Sequence, residues 1–326
     1  MDPVISVNNL KKYYQVHKKE PGLWGGVKSF LNRKYLDVKA VDGISFKINE
    51  GELVGFIGPN GAGKTTTLKV LSGLLYPTSG NLSVWGREPF KREKQFQTQI
   101  SLIMGQKNQL WWDLPAMDTF ILNKEIYEVG KQQFEDTLSK LSKMLEVGDI
   151  LNTPVRKLSL GQRMKCELIS ALLHSPKVLF LDEPTIGLDV VAQQNMRDFI
   201  KEYNQEFKAT IILTSHYMAD VKELCKRIII IDKGVIVYDG LLEKIIEKFS
   251  PVKVLKVDFE KEIKPEKLKE IGKVEKFSKN FAQISIEKDK ISEKTAKLLS
   301  EFAVADLTIE DPAIEDIVRE IFETRQ

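Results

Sequence analysis

The sequence predicts an α/β protein with a mostly parallel sheet, a helical subdomain inserted into it, and a small α+β unit at its C-terminal end. Three observations carry this expectation. A glycine-rich turn at residues 58–65 joins an apolar run, Leu53-Val-Gly-Phe-Ile57, to a stretch with apolar residues at helical spacing. Further buried-type apolar runs at 100–104, 177–181, 210–214 and 228–231 alternate with helical patterns, the signature of strands covered on both faces. Near Ser250 and Pro251 the composition shifts to Lys- and Glu-rich segments with short strands.

Taken in order, residues 66–75 carry Leu68, Leu71, Leu74 and Leu75 on one helical face. Between 106 and 174 the pattern is almost wholly helical, with amphipathic stretches at 116–129 and 131–147, which reads as the inserted subdomain. We expect a first domain over 1–245 and an accessory domain over 251–326. The second reads as strand 252–259, helix 265–271, strand 282–286, helix 293–302, strand 304–309 and helix 313–322. An extended basic loop at about 15–40 interleaves Lys18, Lys19, Lys28, Arg33, Lys34 and Lys39 with Leu23, Trp24, Phe30 and Leu36. Within it, 27–35 could form a basic amphipathic helix on a membrane or partner surface, or could pack its Trp and Phe on the domain itself.

The 326 residues suffice for one large and one small core. A formal net charge of +3 gives no global case for a nucleic-acid partner. The two cysteines, Cys166 and Cys225, have neither disulfide-framework nor metal-type spacing, as in a reducing cytoplasm. The first ten residues lack a signal-peptide layout, and no apolar run approaches the ~20 residues that span a bilayer. Work at a membrane would need other chains to supply the spans.

The turn reads Gly58, Pro59, Asn60, Gly61, Ala62, Gly63, Lys64, Thr65, followed by Thr66. It fits the phosphate-loop pattern G-x-x-x-x-G-K-[ST] between a strand and a helix. Glycines let successive backbone N–H groups turn onto phosphate oxygens at a helix N-terminus, Lys64 supplies a point charge, and the Thr65 hydroxyl is a Mg²⁺ ligand. A nucleoside triphosphate is the expected ligand. The run Lys177-Val-Leu-Phe-Leu-Asp182-Glu183 ends a buried strand in two carboxylates, delivered to the sheet edge where the phosphate loop sits. There Asp182 would hold Mg²⁺ and Glu183 would polarise the attacking water.

Leu158-Ser159-Leu160-Gly161-Gln162, before an amphipathic helix starting near Arg163, completes a set with the two motifs above. In order and spacing the set resembles the nucleotide-binding domain of ATP-binding cassette (ABC) transporters, whose signature is L-S-G-G-Q. The resemblance covers roughly residues 4–240. Its further elements fall on Tyr14 for the adenine-stacking aromatic, with Tyr13 as the alternative, on Gln106, on the Gly187-Leu-Asp189 turn, and on His216. The resemblance implies a P-loop NTPase fold, ATP with Mg²⁺, and head-to-tail dimerisation with a second ABC ATPase subunit, a homodimer expected. Each ATP would lie between the phosphate loop of one copy and Ser159, Gly161 and Gln162 of the other, with Asp189 shaping the interface. Gln106 would contact Mg²⁺ or the water, and His216 would bond the γ-phosphate and orient Glu183. Leu160 departs from the pattern, where glycine is usual; it forbids easy positive φ and is expected to point away from phosphate.

A single cassette without spans, and a tail ending in Ile309-Glu-Asp-Pro-Ala-Ile-Glu-Asp-Ile, is similar to drug-resistance or ABC-2 type exporter ATPases, as is the run from Met104 to Pro115. That implies a peripheral subunit on the cytoplasmic face, held by separate integral-membrane permease chains. Trp111 and Trp112 would either meet that partner or pack in the core. The rival reading is a soluble cassette ATPase acting on nucleic acid or ribosomes. Against it, no sustained heptads separate phosphate loop from signature, and only one cassette is present.

Overall fold

Two long strands, β1 (Ile5–His17) and β2 (Tyr35–Ile48), open the chain as an antiparallel ribbon. Their inward positions are apolar: Ile5, Val7 and Leu10 on β1 face the core with Val41, Ile44, Phe46 and Ile48 on β2. The alternation breaks at Asn9, whose φ of 50° marks a shift of register. The computed structural model describes residues 3–17, 35–105, 107–249, 252–312 and 316–318. The suggested basic helix at 27–35 and most of the suggested helix at 313–322 therefore lie outside the described residues, as does Gln106.

After β3 (Leu53–Ile57) and helix α1 (Lys64–Leu71), β4 (Ser79–Val84) pairs with β1 to give a three-stranded antiparallel sheet in the order β2-β1-β4. This antiparallel sheet stands in addition to the mostly parallel one that the sequence predicts. Its strands carry an apolar inner face and a polar outer one, which is antiparallel patterning. A short helix, α2 (Lys94–Gln97), leads to β5 (Ile100–Met104). Then come the helices α3 (Ala116–Ile126), α4 (Lys131–Leu145) and α5 (Leu160–Leu172). Strand β6 (Val178–Asp182), helix α6 (Val190–Phe207), β7 (Thr210–Thr214), helix α7 (Met218–Leu224), β8 (Arg227–Asp232) and β9 (Val235–Leu241) follow.

These strands build a six-stranded sheet in the order β5-β6-β7-β3-β8-β9. The pairs β5/β6, β6/β7, β7/β3 and β3/β8 are parallel, and every residue of β6 and β7 is buried. Parallel pairing brings the ends of β3, β5, β6 and β7 to one edge. Both cysteines are buried and free, and burial pushes the Cys166 thiol up to about 12.

The chain divides into two compact units, Met1–Asp239 and Gly240–Gln326. The second begins with helix α8 (Leu242–Phe249) and contains a four-stranded antiparallel sheet. Its strands β10 (Val252–Phe259), β11 (Lys273–Ser278), β12 (Phe281–Glu287) and β13 (Val304–Glu310) lie in the order β11-β12-β10-β13, with helix α9 (Ile291–Glu301) before β13. Leu255, Val257, Phe259, Ile284 and Ile286 pack with Leu268, Ile271 and Leu298 as its own core. The helix expected at 265–271 is a single 3₁₀ turn, Pro265–Leu268, and β11 was not expected at all.

Candidate active site

Strand β3 feeds its last residue into the phosphate loop, and the backbone there requires glycine at two points. A Cβ at Gly58 would stand 2.1 Å from the Ile231 carbonyl oxygen. Gly63 has φ 110°, and a Cβ there would stand 2.4 Å from the Ala40 carbonyl oxygen. Helix α1 starts at Lys64, earlier than the expected 66, and no side chain caps it. Its first N–H groups therefore stay available at the positive end of the helix. Lys64 is buried and curls back over the loop, where Nζ donates to the carbonyls of Gly58 (2.7 Å) and Pro59 (3.1 Å). Burial lowers its pKa, while Glu183 and Asp182 act the other way.

Strand β6 brings Asp182 to this loop. Its Oδ2 accepts from the Thr65 hydroxyl at 2.8 Å and its Oδ1 from the Thr214 hydroxyl at 2.6 Å. Glu183 follows in the left-handed region at φ 56°. For a residue with a Cβ this costs on the order of 1–2 kcal/mol, which the surrounding bonds must offset. The Glu183 N–H donates to the carbonyl and hydroxyl oxygens of Thr214 at 3.0 and 3.1 Å. On its other side runs Gly105, whose N–H donates to the Asp182 carbonyl and where a Cβ would stand 2.2 Å from the Glu183 carbonyl oxygen. So held, the Glu183 carboxylate places Oε1 2.7 Å from Nε2 of His216, which follows the end of β7. The structure thus brings Lys64, Thr65, Asp182, Glu183 and His216 together. Thr214 and Gly105 were missed: a threonine ending an apolar strand and a glycine following one give little local signal.

The signature segment is built differently from the expectation that its helix starts near Arg163. Ser159 is the N-cap of α5, which begins at Leu160. Its Oγ accepts from the Gln162 N–H at 3.2 Å and its N–H donates to Gln162 Oε1 at 3.0 Å, a complete capping box. Leu160 sits in the first helical turn without positive φ, so this backbone makes no demand for glycine there. The Leu160 side chain reaches the Gly187 turn, where a Cβ on Gly187 would stand 3.2 Å from Leu160 Cδ2. Asp189 caps α6 through Oδ1, accepting from the Ala192 N–H at 2.8 Å. Ser159, Leu160, Gln162 and Asp189 are all exposed.

Of the two candidate aromatics, Tyr13 is engaged internally: its hydroxyl donates to Asp42, and the Lys39 ammonium lies 5.4 Å from its ring centre. Tyr14 is half-buried, with Lys12 Nζ 5.1 Å from its ring centre. Trp111 and Trp112 are exposed, which removes the core-packing reading; Leu114, Ile121, Leu122 and Ile126 of the same subdomain are exposed as well.

A phosphate loop facing two strand-end carboxylates and a histidine, on a parallel sheet with an inserted helical subdomain, defines a P-loop nucleoside triphosphatase. Comparison with known proteins narrows the class. The ABC transporter family pattern matches residues 41–186, and that of the EvrA-like ABC transporter C-terminal domain matches 251–310. The ABC transporter ATP-binding protein NatA of Bacillus subtilis is 35% identical over 210 residues, covering 64% of this chain and 85% of NatA. An uncharacterized ABC transporter ATP-binding protein of Methanocaldococcus jannaschii, MJ1023, is 32% identical over 78% of this chain and 84% of its own length. The bacitracin transport ATP-binding protein BcrA of Bacillus licheniformis is 33% identical over 63% and 65% of the two chains. Among solved structures, an ATP-binding subunit of an ABC transporter superposes with a TM-score of 0.62 at 24% identity, covering 76% of this chain and 93% of that one. The dimeric post-hydrolysis cassette MJ0796 bound to ADP and Pi gives 0.60 at 22%, covering 73% and 98%. The chain belongs to the ABC transporter family, as its ATP-binding, ATP-hydrolysing subunit.

Proposed function

We propose that this protein is the motor of an ABC-2 type exporter, two copies closing on ATP beneath separate permease chains at the cytoplasmic face of the membrane. The observation that carries the catalytic part is the 2.7 Å contact between His216 Nε2 and Glu183 Oε1 beside the Asp182–Thr65 pair. Glu183 takes the proton of the attacking water, and His216 holds that carboxylate in position and donates toward the γ-phosphate. Loop N–H groups and Lys64 carry the negative charge of the phosphates, and Lys64 exchanges its bonds to the Gly58 and Pro59 carbonyls for phosphate oxygens.

A hydroxyl and a carboxylate held together by strand and helix ends suit Mg²⁺, which takes hard oxygen ligands and uses only one or two protein groups beside phosphates and water. Thr65 and Asp182 would hold it, the family resemblance adds Gln106 as a further ligand, and when bound it would neutralise charge on the phosphates. Tyr14 offers its face to adenine, since Tyr13 is already committed to Asp42. Ser159, Gly161, Gln162 and Asp189 would meet the nucleotide and phosphate loop of the second copy; the exposure of Ser159, Gln162 and Asp189 and the placement of all four at two helix N-termini support this. The exposed Trp111 and Trp112 support a permease contact in the helical subdomain. Transport is supported by the likeness to BcrA, and export by the likeness to a Nod factor export ATP-binding protein of Burkholderia orbicola, 32% identical over 67% of this chain.

The test is Glu183→Gln. Turnover should fall by at least about 10²-fold with ATP affinity retained, as expected for loss of a general base. Mg²⁺-ATP should trap a dimer by light scattering. Unchanged turnover overturns the catalytic assignment, and a monomer at saturating ATP overturns the dimer. Gentle solubilisation and mass spectrometry of the tagged protein should recover stoichiometric multi-spanning chains; recovery with ribosomes or DNA would favour the soluble alternative.

A further inference from the structure

We infer that Asp220 is a positioning residue for hydrolysis, a buried carboxylate that fixes the His216 turn against the segment leaving Glu183. Asp220 lies in α7 and is 1% exposed. Its Oδ2 accepts from the hydroxyls of Thr185 and Ser215, each at 2.6 Å, and its Oδ1 accepts from Arg197 Nη1 at 2.8 Å. Ser215 immediately precedes His216, and its Oγ also accepts from the Tyr217 N–H at 2.9 Å. The backbone on both sides of His216 is thereby tied to one carboxylate. Thr185 stands two residues after Glu183 and is itself 1% exposed. Arg197 belongs to α6, the helix capped by Asp189, and its guanidinium also reaches Gln194 Oε1 (2.7 Å) and Glu223 Oε2 (2.9 Å).

One side chain therefore joins four segments: the turn after β6, the turn after β7, α6 and α7. The pair it serves is more open, since the side chains of His216 and Glu183 are 37% and 13% exposed. An imidazole on a solvent-facing turn holds a 2.7 Å contact only if its backbone cannot drift, and a buried carboxylate with three charge-assisted or hydroxyl donors supplies that restraint. Asp220 is not a catalytic residue, because its contacts are to the neighbours of the pair and not to the pair itself. Through Arg197 the restraint extends to the Asp189 turn, so a displacement of α6 is passed to His216.

The inference rests on the proposed role of His216, and the experiment separates the two. Asp220→Asn keeps the shape and an acceptor oxygen but turns an NH₂ or a neutral oxygen toward Arg197. It should lower kcat by about tenfold or more while KM for ATP moves less than about twofold, because what is lost is geometry in the transition state. In a His216→Ala background the same substitution should change kcat by less than about twofold, since coupled residues are non-additive. An equal fold-loss in both backgrounds means general destabilisation and overturns the inference. Ser215→Ala covers the case in which Asp220→Asn does not fold: it cuts the link to His216 while leaving the Arg197–Asp220 pair intact, and should lower kcat severalfold in a protein that still unfolds in one cooperative transition above the assay temperature. Normal kcat in Ser215→Ala overturns the inference while leaving His216 in its role. Normal kcat in His216→Ala overturns both.

Discussion

Glu167 shows what burial does to a single carboxyl group outside the catalytic centre. It lies in α5 at 2% exposure, with Arg163 Nε no closer than 3.9 Å to its Oε1, too far for a hydrogen bond. Burial pushes its pKa up from 4.5 to about 7, against the pull of Arg163 and of the Gln109 backbone N–H. Between those two values the folded chain binds more protons than the unfolded one, so stability falls as pH rises through that window and is flat above it. The full window amounts to on the order of 3 kcal/mol at about 1.4 kcal/mol per unit. Glu167→Gln removes the penalty for charging. The variant should match the parent near pH 4.5 and exceed it by about 2–3 kcal/mol at pH 8 in urea unfolding; an equal offset at both pH values would show that packing and not ionisation is responsible. At this scale the legible residues were those with a spacing rule, Gly58 to Thr65 and Asp182-Glu183. Asp220 and Arg197 were not, because a charged residue within an amphipathic helix reads as a solvent face until the fold shows it buried.

Between elements, the close approach of β5 and β6 at their C-terminal ends is what allows Glu183 its left-handed backbone. Gly105 follows β5, and there is no room for a Cβ beside the Glu183 carbonyl. Gly105→Ala should therefore displace the Glu183 backbone, costing about 1–3 kcal/mol as overpacking does. It should also lower kcat by more than about tenfold, because catalysis is sensitive to misplacement on the ångström scale. Equilibrium unfolding and steady-state turnover check the two effects; normal turnover would show that the strand ends yield without moving the carboxylate. Elements with a full apolar run, β5 to β8, were legible to within a residue or so. The unexpected strand β11, Lys-Val-Glu-Lys-Phe-Ser, is an edge strand whose residues are mostly exposed, so no alternation marks it. The 3₁₀ turn at Pro265 had a proline start and one buried leucine, Leu268, which is less than a helix needs. The start of α5 was readable in principle, since Ser159-x-x-Gln162 is a capping-box sequence.

For the molecule as a whole, the division of labour follows from where the cores lie. Lys64, Thr65, Asp182, Glu183, Thr214 and His216 belong to the unit Met1–Asp239, and their hydrogen bonds close among residues of that unit. The unit Gly240–Gln326 buries Leu255, Val257, Phe259, Ile284 and Leu298 in a core of its own. With an apolar core of its own, each unit has burial to set against the entropy cost of its folding. A chain ending at Leu241, the last residue of β9, should therefore fold, show a cooperative unfolding transition, and bind ATP with Kd within about twofold of the full-length protein, since separate sites with no shared partners are energetically independent. Isothermal titration on both chains reads this directly. A loss of affinity beyond tenfold would mean that the second unit completes the nucleotide site. Unchanged affinity with altered turnover would instead place its influence on the hydrolytic step, after ATP is bound.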